Sequence, residues 1–127
     1  MDARETTQRK RADRRARQLG TRNPVCRVCG QSGLVLRYEH HHIAAQFAGR
    51  RLCEVTVLLC RQCHARISDM QSDLPHLPKS LNPKIALWVN RKRGWAQLLR
   101  LMAEQLDAEA DEQLAFTALN DNEENPS

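Results

Sequence analysis

Large aromatic side chains are scarce in this sequence, and their scarcity limits the hydrophobic core that the chain can build. Aromatic residues make up 4% of the 127 residues, although 41% are hydrophobic. Small domains with few core anchors commonly add a bound metal or disulfides. The sequence therefore predicts one domain with tails, in which the middle third depends on a cross-link of this kind.

The sequence also lacks any long apolar run. No stretch approaches the roughly 20 apolar residues that a membrane-spanning helix needs. The charged N-terminus, MDARETTQRKR, is not followed by the apolar segment of a signal peptide. We therefore expect a cytoplasmic protein that has no membrane partner. Thiols stay reduced in the cytoplasm, so that paired cysteines there indicate a metal site before a disulfide.

Positive charge is absent from the end of the chain. Residues 103–127 contain eight acidic residues and no Lys or Arg, so that residues 1–102 carry all 20 bases against seven acids. A basic surplus of this size favours a polyanionic partner, because binding of DNA or RNA releases counterions. An ordinary solvated surface is the alternative. The Arg-rich residues 1–20 are expected to form a basic arm that is either helical or disordered.

Four of the five cysteines form two Cys-x2-Cys pairs, Cys26 with Cys29 and Cys60 with Cys63. This spacing is typical of a tetrahedral, all-sulfur zinc site, which is structural because no position stays open for a substrate. Gly30, directly after the first pair, suits the tight turn of a zinc knuckle. Cys53 has no partner at knuckle spacing and is interpreted as a small buried hydrophobe or a free thiol.

Three adjacent histidines, His40, His41 and His42, lie between the two cysteine pairs. Residues 34–38 and 55–59 are predicted strands, and a short helix is predicted from His64 to about Met70. Neighbours on a strand point to opposite faces, so adjacent histidines can flank one site only where the chain turns. A surface histidine run or adventitious metal binding is the alternative.

The C-terminal third is predicted to be helical. Residues 71–82, with two prolines, form a linker, and the helical segment covers residues 83–119 with a break or bend at Gly94. An apolar stripe recurs at helical spacing and comprises Trp95, Leu98, Leu99, Met102 and Leu106. We expect this stripe to pack against the zinc module or against a second copy, giving a homodimer through the C-terminal helix. Residues 120–127 are expected to form a disordered acidic tail.

Residues 22–70 resemble the HNH endonucleases of the ββα-metal superfamily, in the type with two Cys-x2-Cys pairs. The motifs that carry the resemblance are Cys26-x2-Cys29-Gly30, Glu39-His40-His41-His42-Ile43 and Leu58-Leu59-Cys60-Arg61-Gln62-Cys63-His64. The resemblance implies an α+β fold with a small ββα-metal hairpin–helix module over residues 21–70. A zinc ion on the four paired cysteines would staple the module, and additional helices would follow it.

The resemblance also implies an activity, the metal-dependent hydrolysis of DNA phosphodiester bonds that leaves 5′-phosphate and 3′-hydroxyl ends. His42 matches the general base, and His41 and His64 match ligands of the catalytic divalent metal. Mg²⁺ or Mn²⁺ is the expected metal, and two imidazoles would also accept Ni²⁺ or Zn²⁺. Double-stranded DNA is the expected partner. The residues expected to contact its phosphates are Arg11, Arg14, Arg15, Arg50, Arg51, Arg61 and Arg66.

Two positions differ from the family pattern. Val55 stands where the family has the Asn that helps to fix the loop orienting the base, and Ser68 stands where it often has a further His. Two other functions are therefore considered. One is a catalytically silent, zinc-stabilised module that binds nucleic acid. The other is an interaction domain of a phage or mobile-element assembly, docking through the stripe between Trp95 and Leu106.

Overall fold

The computed structural model describes residues 3–45 and 55–124, with side chains described up to residue 120. The fold is α+β and contains one two-stranded antiparallel sheet and three helices in these ranges. The elements are α1 (Ala3–Leu19), a 3-10 turn (Val35–Arg37), β1 (Tyr38–His42), β2 (Thr56–Cys60), α2 (Arg61–Ser72) and α3 (Pro83–Glu124). Cys53 and the predicted phosphate contacts Arg50 and Arg51 lie outside the described residues.

The basic N-terminal segment is a helix, α1, and its last turns are the part with buried side chains. Ala16 and Leu19 are buried, whereas residues 3–11 are exposed. The helix ends at Gly20, whose φ of 79° is a left-handed conformation that glycine adopts without a steric penalty. The N–H of Gly20 donates to the carbonyl of Ala16 at 2.9 Å, as in a glycine-capped helix end. The C-terminal end of α1 is therefore anchored, and the more exposed residues before it lie beside the 3-10 turn.

The first strand begins four residues later than the sequence predicts. The predicted strand residues 34–37 lead in through the 3-10 turn, and β1 consists of Tyr38, Glu39 and the three histidines. The pairing with β2 explains the shift, because its register runs from Tyr38 opposite Cys60 to His42 opposite Thr56. Tyr38 anchors the start of the strand: its buried side chain donates from the hydroxyl to the carbonyl of Gln31 at 2.6 Å.

Helix α3 is one continuous helix, so the predicted break at Gly94 is wrong. A Cβ atom added at Gly94 would overlap the carbonyl oxygen of Ile43, directly after β1. The glycine therefore allows a close approach between α3 and that backbone, and its cost in helix propensity is only about 1 kcal/mol. The helix also runs through Asn120 to Glu124, where the sequence predicts a disordered tail. No Pro or Gly interrupts residues 95–124.

The apolar stripe of α3 divides between two faces. Leu98 and Leu101 are buried against Ile43, Leu59 and Ile67, which form the centre of the core. Leu99 and Leu106 point outward and are more than 60% exposed. Leu98 and Met102 of the predicted stripe thus pack against the zinc module, as one of the two expectations has it, and Leu99 and Leu106 do not. Within the described ranges, no helix, including α3, has the length and apolar character to cross a bilayer.

Candidate metal centre and histidine cleft

The four paired cysteines form one cluster. The sulfur atoms of Cys26, Cys29, Cys60 and Cys63 all lie within 4.8 Å of one another, and the Sγ atoms of Cys29 and Cys60 are 3.9 Å apart. Sulfurs around a tetrahedral zinc, with Zn–S bonds of about 2.3 Å, are about 3.8 Å apart. The predicted gathering of the four cysteines is confirmed, and the cluster could bind a metal such as zinc.

Local backbone geometry presents the sulfurs. Gly30 has a φ of 72°, and its N–H donates to the carbonyl of Cys26 at 2.9 Å, which closes the first knuckle. The N–H of Arg27 donates to the carbonyl of Leu58 and ties this knuckle to β2. Cys60 ends β2 and precedes the first residue of α2, so the second pair spans a strand–helix junction. The two pairs therefore meet through the tertiary fold.

The protonation of the cysteines also favours a cation. Burial by itself would raise the pKa of Cys26, but backbone N–H groups, including those of Cys29 and Cys60, donate to its sulfur and lower that pKa to about 7. Burial raises the pKa of Cys63, and the neighbouring Cys60 and Cys26 thiols raise it further. Four thiolates at this separation would repel one another, so the cluster needs either protons or a cation to reduce its negative charge. A bound divalent metal would displace the protons.

Three of the predicted site histidines meet in a separate cleft of about 270 Å³. His41 and His42 reach it from β1, and His64 reaches it from α2. The imidazole rings of His41 and His64 have centroids 5.7 Å apart and planes at 77° to each other. Ser68, one turn after His64 on α2, also lines the cleft. Residues 41, 42 and 64 are thus brought together as the resemblance implies.

His41 is the most buried of the three, with 3% of its surface exposed. Burial, followed by the nearby His64 and His42, lowers the pKa of His41 to about 4. The ring is therefore neutral at pH 7, so one of its nitrogens carries no proton. The amide of Gln71 lies 3.5 Å from Nε2 of His41 and donates towards it. Gln71, three residues after Ser68 on α2, thus makes a polar contact with His41.

His64 is oriented by a carboxylate. Its Nδ1 lies 3.1 Å from an oxygen of Glu39, which is the residue two positions before His41 on β1. Histidines that bind metals commonly place their other ring nitrogen against a carboxylate in this way. The contact leaves Nε2 of His64 available for a ligand. Glu39 is therefore a positioning residue, a role that the sequence did not assign to it.

His42 is half-buried at the end of β1, and within the described part of the chain its buried Nδ1 has no hydrogen-bond partner. The backbone that follows it is held from two sides. The N–H of Ile43 donates to the carbonyl of Val55 at 3.0 Å, and the side chain of Asn90 donates to the carbonyl of Ala45 at 3.2 Å. Asn90 lies on α3, one turn before Gly94. Although no Asn occurs near Val55 in the sequence, α3 brings one to this loop.

His40 makes its hydrogen bonds with α1 and β2, away from His41 and His64. Its Nε2 donates to the carbonyl of Gln18 on α1 at 3.0 Å, and its Nδ1 lies 3.5 Å from the hydroxyl of Thr56. Alternation along the strand explains this, because His40 and His41 point to opposite faces of β1. His40 therefore anchors α1 to the hairpin, and it lies at the edge of the cleft that His41 and His42 also line.

The predicted phosphate contacts fall into two groups. Arg11 and Arg14 are exposed on α1, and Arg15 beside them is half-buried. Arg61 and Arg66 on α2 already have partners within the fold. Arg61 donates to the carbonyl of Leu36 at 3.1 Å, and Arg66 forms an ion pair of 3.3 Å with Glu104. The exposed arginines of α1 are therefore the best placed of the described group for a polyanion.

The cysteine cluster has a more complete set of metal ligands than the histidine cleft. Among the described residues, the four cysteines are the only group in which three or more His, Cys, Asp or Glu ligand atoms converge. The cleft combines the imidazoles of His41, His42 and His64 with Ser68 and Gln71, whose hydroxyl and amide groups are weaker ligands. No protein-family model matches the chain, and no curated protein or solved structure matches it either. The likeness to HNH endonucleases therefore rests on the motifs.

Proposed function

We propose that this protein is a metal-dependent HNH-type endonuclease that hydrolyses DNA phosphodiester bonds, with the hairpin and α2 as its ββα-metal module. The observation that carries the proposal is the meeting of His41, His42 and His64 in one cleft next to the core. Zinc on the four cysteines would make the small module rigid. A reducing cytoplasm would keep those thiols available to the metal.

His41 and His64 are the residues that would hold the catalytic cation, Mg²⁺ or Mn²⁺, with Ni²⁺ or Zn²⁺ acceptable to imidazole ligands. The low pKa of His41, about 4, keeps its ring unprotonated at pH 7, and a metal bound at Nε2 would displace the amide of Gln71 that donates towards it. Glu39 holds Nδ1 of His64 and so directs Nε2 of that ring to the ligand. When bound, such a cation polarises the phosphate and stabilises charge on the leaving 3′ oxygen.

His42 is the proposed general base. A proton of the attacking water passes to its imidazole while the water oxygen bonds to phosphorus and the bond from phosphorus to the 3′ oxygen breaks. The 3′ oxygen then takes a proton from solvent, which gives 5′-phosphate and 3′-hydroxyl ends. Support for this assignment comes from Val55, Asn90 and Gly94, which hold the backbone directly after His42.

The proposed partner is double-stranded DNA, and α1 supplies the positive surface. Residues 4–17 contain seven Arg or Lys residues against two acids, and most of these side chains are exposed. Neutralising phosphates releases counterions, so binding through α1 should weaken steeply with added salt. His40 joins the end of α1 to β1 at 3.0 Å, which would connect the DNA-binding helix directly to the strand of the base.

A supercoiled-plasmid assay with Mg²⁺ or Mn²⁺ tests the proposal. The wild type should convert supercoiled plasmid to nicked or linear forms, and His42→Ala should lower the rate at least a hundredfold, as expected for loss of a general base. His76→Ala is the matched control, because His76 is exposed in the linker between α2 and α3 and lies outside the cleft. Cleavage by wild type and His42→Ala at equal rates would refute the assignment.

A catalytically silent zinc module that binds nucleic acid is the second candidate. The observation that favours it is that, among the described residues, the side chains of the cleft do not bring three His, Cys or carboxylate ligand atoms close enough together for a metal ion. Under this function the wild type would bind DNA with a steep salt dependence and cut nothing in either metal. Binding by gel shift, measured on the same preparation as the plasmid assay, separates the two functions.

A further inference from the structure

One face of α3 carries large apolar side chains that the fold leaves outside. From residue 85 to residue 116 this face has ten positions at alternating intervals of three and four residues, the pattern of a helix that pairs with another helix; seven are apolar, and Lys92, Glu109 and Gln113 occupy the others. The stripe consists of Ile85, Trp88, Trp95, Leu99, Met102, Leu106 and Phe116. Five of them are at least half exposed, Trp95 is 37% exposed, and Met102 is partly buried. Trp88 and Leu106, for example, are 62% and 63% exposed.

The buried face of α3 is a different one. Ala86, Leu98 and Leu101 pack towards the hairpin and α2, and each is at most 1% exposed. Leu101 follows Trp95 by six residues, which places it about 120° around the helix from the stripe. Packing on the module therefore leaves the stripe accessible. An exposed apolar surface of this extent marks an interaction site.

Charge divides α3 into two halves. Residues 83–100 contain five bases and no acid, and residues 101–119 contain five acids and no base. The bases are Lys84, Arg91, Lys92, Arg93 and Arg100, and the acids are Glu104, Asp107, Glu109, Asp111 and Glu112. A second copy of this helix, laid antiparallel, would set its acidic half beside the basic half of the first. A parallel copy would set like charges together.

The C-terminal part of α3 also needs a partner for its own stability. Residues 106–119 are exposed on all sides, including Leu114 and Phe116 at 69% and 58%. A helix of this length is marginal in water without tertiary packing of an apolar face. A second copy of the same helix would supply that packing over roughly 48 Å, the length of 32 helical residues.

We infer that two copies of this chain pair through α3 in an antiparallel arrangement, with Leu99 of each opposite Met102 of the other. In this register four of the five layers join two apolar or two oppositely charged side chains, and the fifth places Trp88 beside the partner's Gln113. The remaining layers are Ile85 with the partner's Phe116, Trp88 with the partner's Gln113, Lys92 with the partner's Glu109, and Trp95 with the partner's Leu106. Antiparallel helix pairs form layers of this kind. The one charged layer, Lys92 with Glu109, joins opposite charges.

Sedimentation equilibrium of the full chain tests the pairing. The wild type should be a dimer at micromolar concentration, and the double variant Leu99→Gln, Leu106→Gln should dissociate at least a hundredfold more readily, because each lost apolar contact occurs twice in the pair. Leu114→Gln is the matched control, since Leu114 is equally exposed but lies off the stripe. Bound zinc and circular dichroism report that each variant is folded. A wild type that is monomeric at all concentrations overturns the inference.

A charge exchange tests the orientation. Lys92→Glu and Glu109→Lys should each weaken the dimer about tenfold or more, because each sets like charges opposite each other in two places. The double variant should restore wild-type association. In a parallel pair Lys92 would face Lys92 of the other copy, and Glu109 would face Glu109. The double variant would then still set like charges together and would not restore association. A dimer that tolerates the changes at Leu99 and Leu106, or a double charge variant no tighter than the single ones, overturns the proposed surface or its register.

Discussion

Replacement of Gly94 by Ala tests the contact that joins α3 to the end of β1. The added Cβ would overlap the carbonyl oxygen of Ile43 and lie 2.6 Å from its carbonyl carbon. These are backbone atoms, so no flexible side chain can move aside. The helix must shift by more than an ångström to reach an ordinary contact distance. Leu98 and Leu101, which follow on the same buried face, would move with it.

The magnitude follows from opposing effects. Alanine gains about 1 kcal/mol of helix propensity over glycine. Overpacking of a dense core costs about 1–3 kcal/mol, and loss of the bond between Asn90 and Ala45 costs about 1 kcal/mol more. Because the clash is with backbone, we expect the upper part of that range and a net loss of about 2–3 kcal/mol. For a domain of this size the melting temperature should fall by roughly 6–12 °C.

Differential scanning calorimetry on zinc-loaded protein measures the effect. Gly33→Ala is the matched control, because a Cβ there would meet the Tyr38 hydroxyl at 3.4 Å, an ordinary contact, and should change the melting temperature little. The Gly94→Ala variant should retain its zinc, since the cysteines lie elsewhere. An unchanged or raised melting temperature would mean that helix propensity dominates and that α3 does not approach Ile43 closely.

Three further predictions concern the site. Protonation of His41 should destabilise the fold, because the pKa of its ring is about 4 in the folded state and near 6.5 in the unfolded state. Roughly 3 kcal/mol of stability is therefore present above pH 6.5 and is lost as the pH falls towards 4. Urea titrations across this pH range should show that the unfolding free energy of the wild type falls with pH and that this fall is smaller in His41→Gln. Glu39→Gln should weaken Mn²⁺ binding ten- to a hundredfold by calorimetry, because His64 loses its orienting carboxylate; unchanged affinity would contradict the role. Cys63→Ser should remove the single tightly bound zinc in metal analysis and unfold the module, whereas a folded variant would show that zinc is dispensable.

Patterns that depend on near neighbours could be predicted from the sequence. The Cys-x2-Cys spacing predicted a four-sulfur cluster, and local backbone geometry brings together the two sulfurs of each pair, whereas the tertiary fold brings the two pairs to one place. Gly30 and Gly20 take left-handed conformations at turns, where glycine has the least steric penalty. The start of α3 at Pro83 follows Asn82, whose side chain accepts from the N–H of Lys84.

Features that depend on contacts between distant segments were decided only by the tertiary structure. Pairing with β2 places β1 at residues that include the histidines. Because side chains alternate along a strand, His40 then contacts α1, and His41 lines the cleft. From the sequence, Gly94 is expected to break the helix. In the fold it lies against Ile43 and allows close packing there, which no local pattern reveals. Asn90 likewise reaches Ala45 across 45 residues of sequence. Spacing along the chain specifies which side chains share an element, whereas the packing of elements specifies which of them meet.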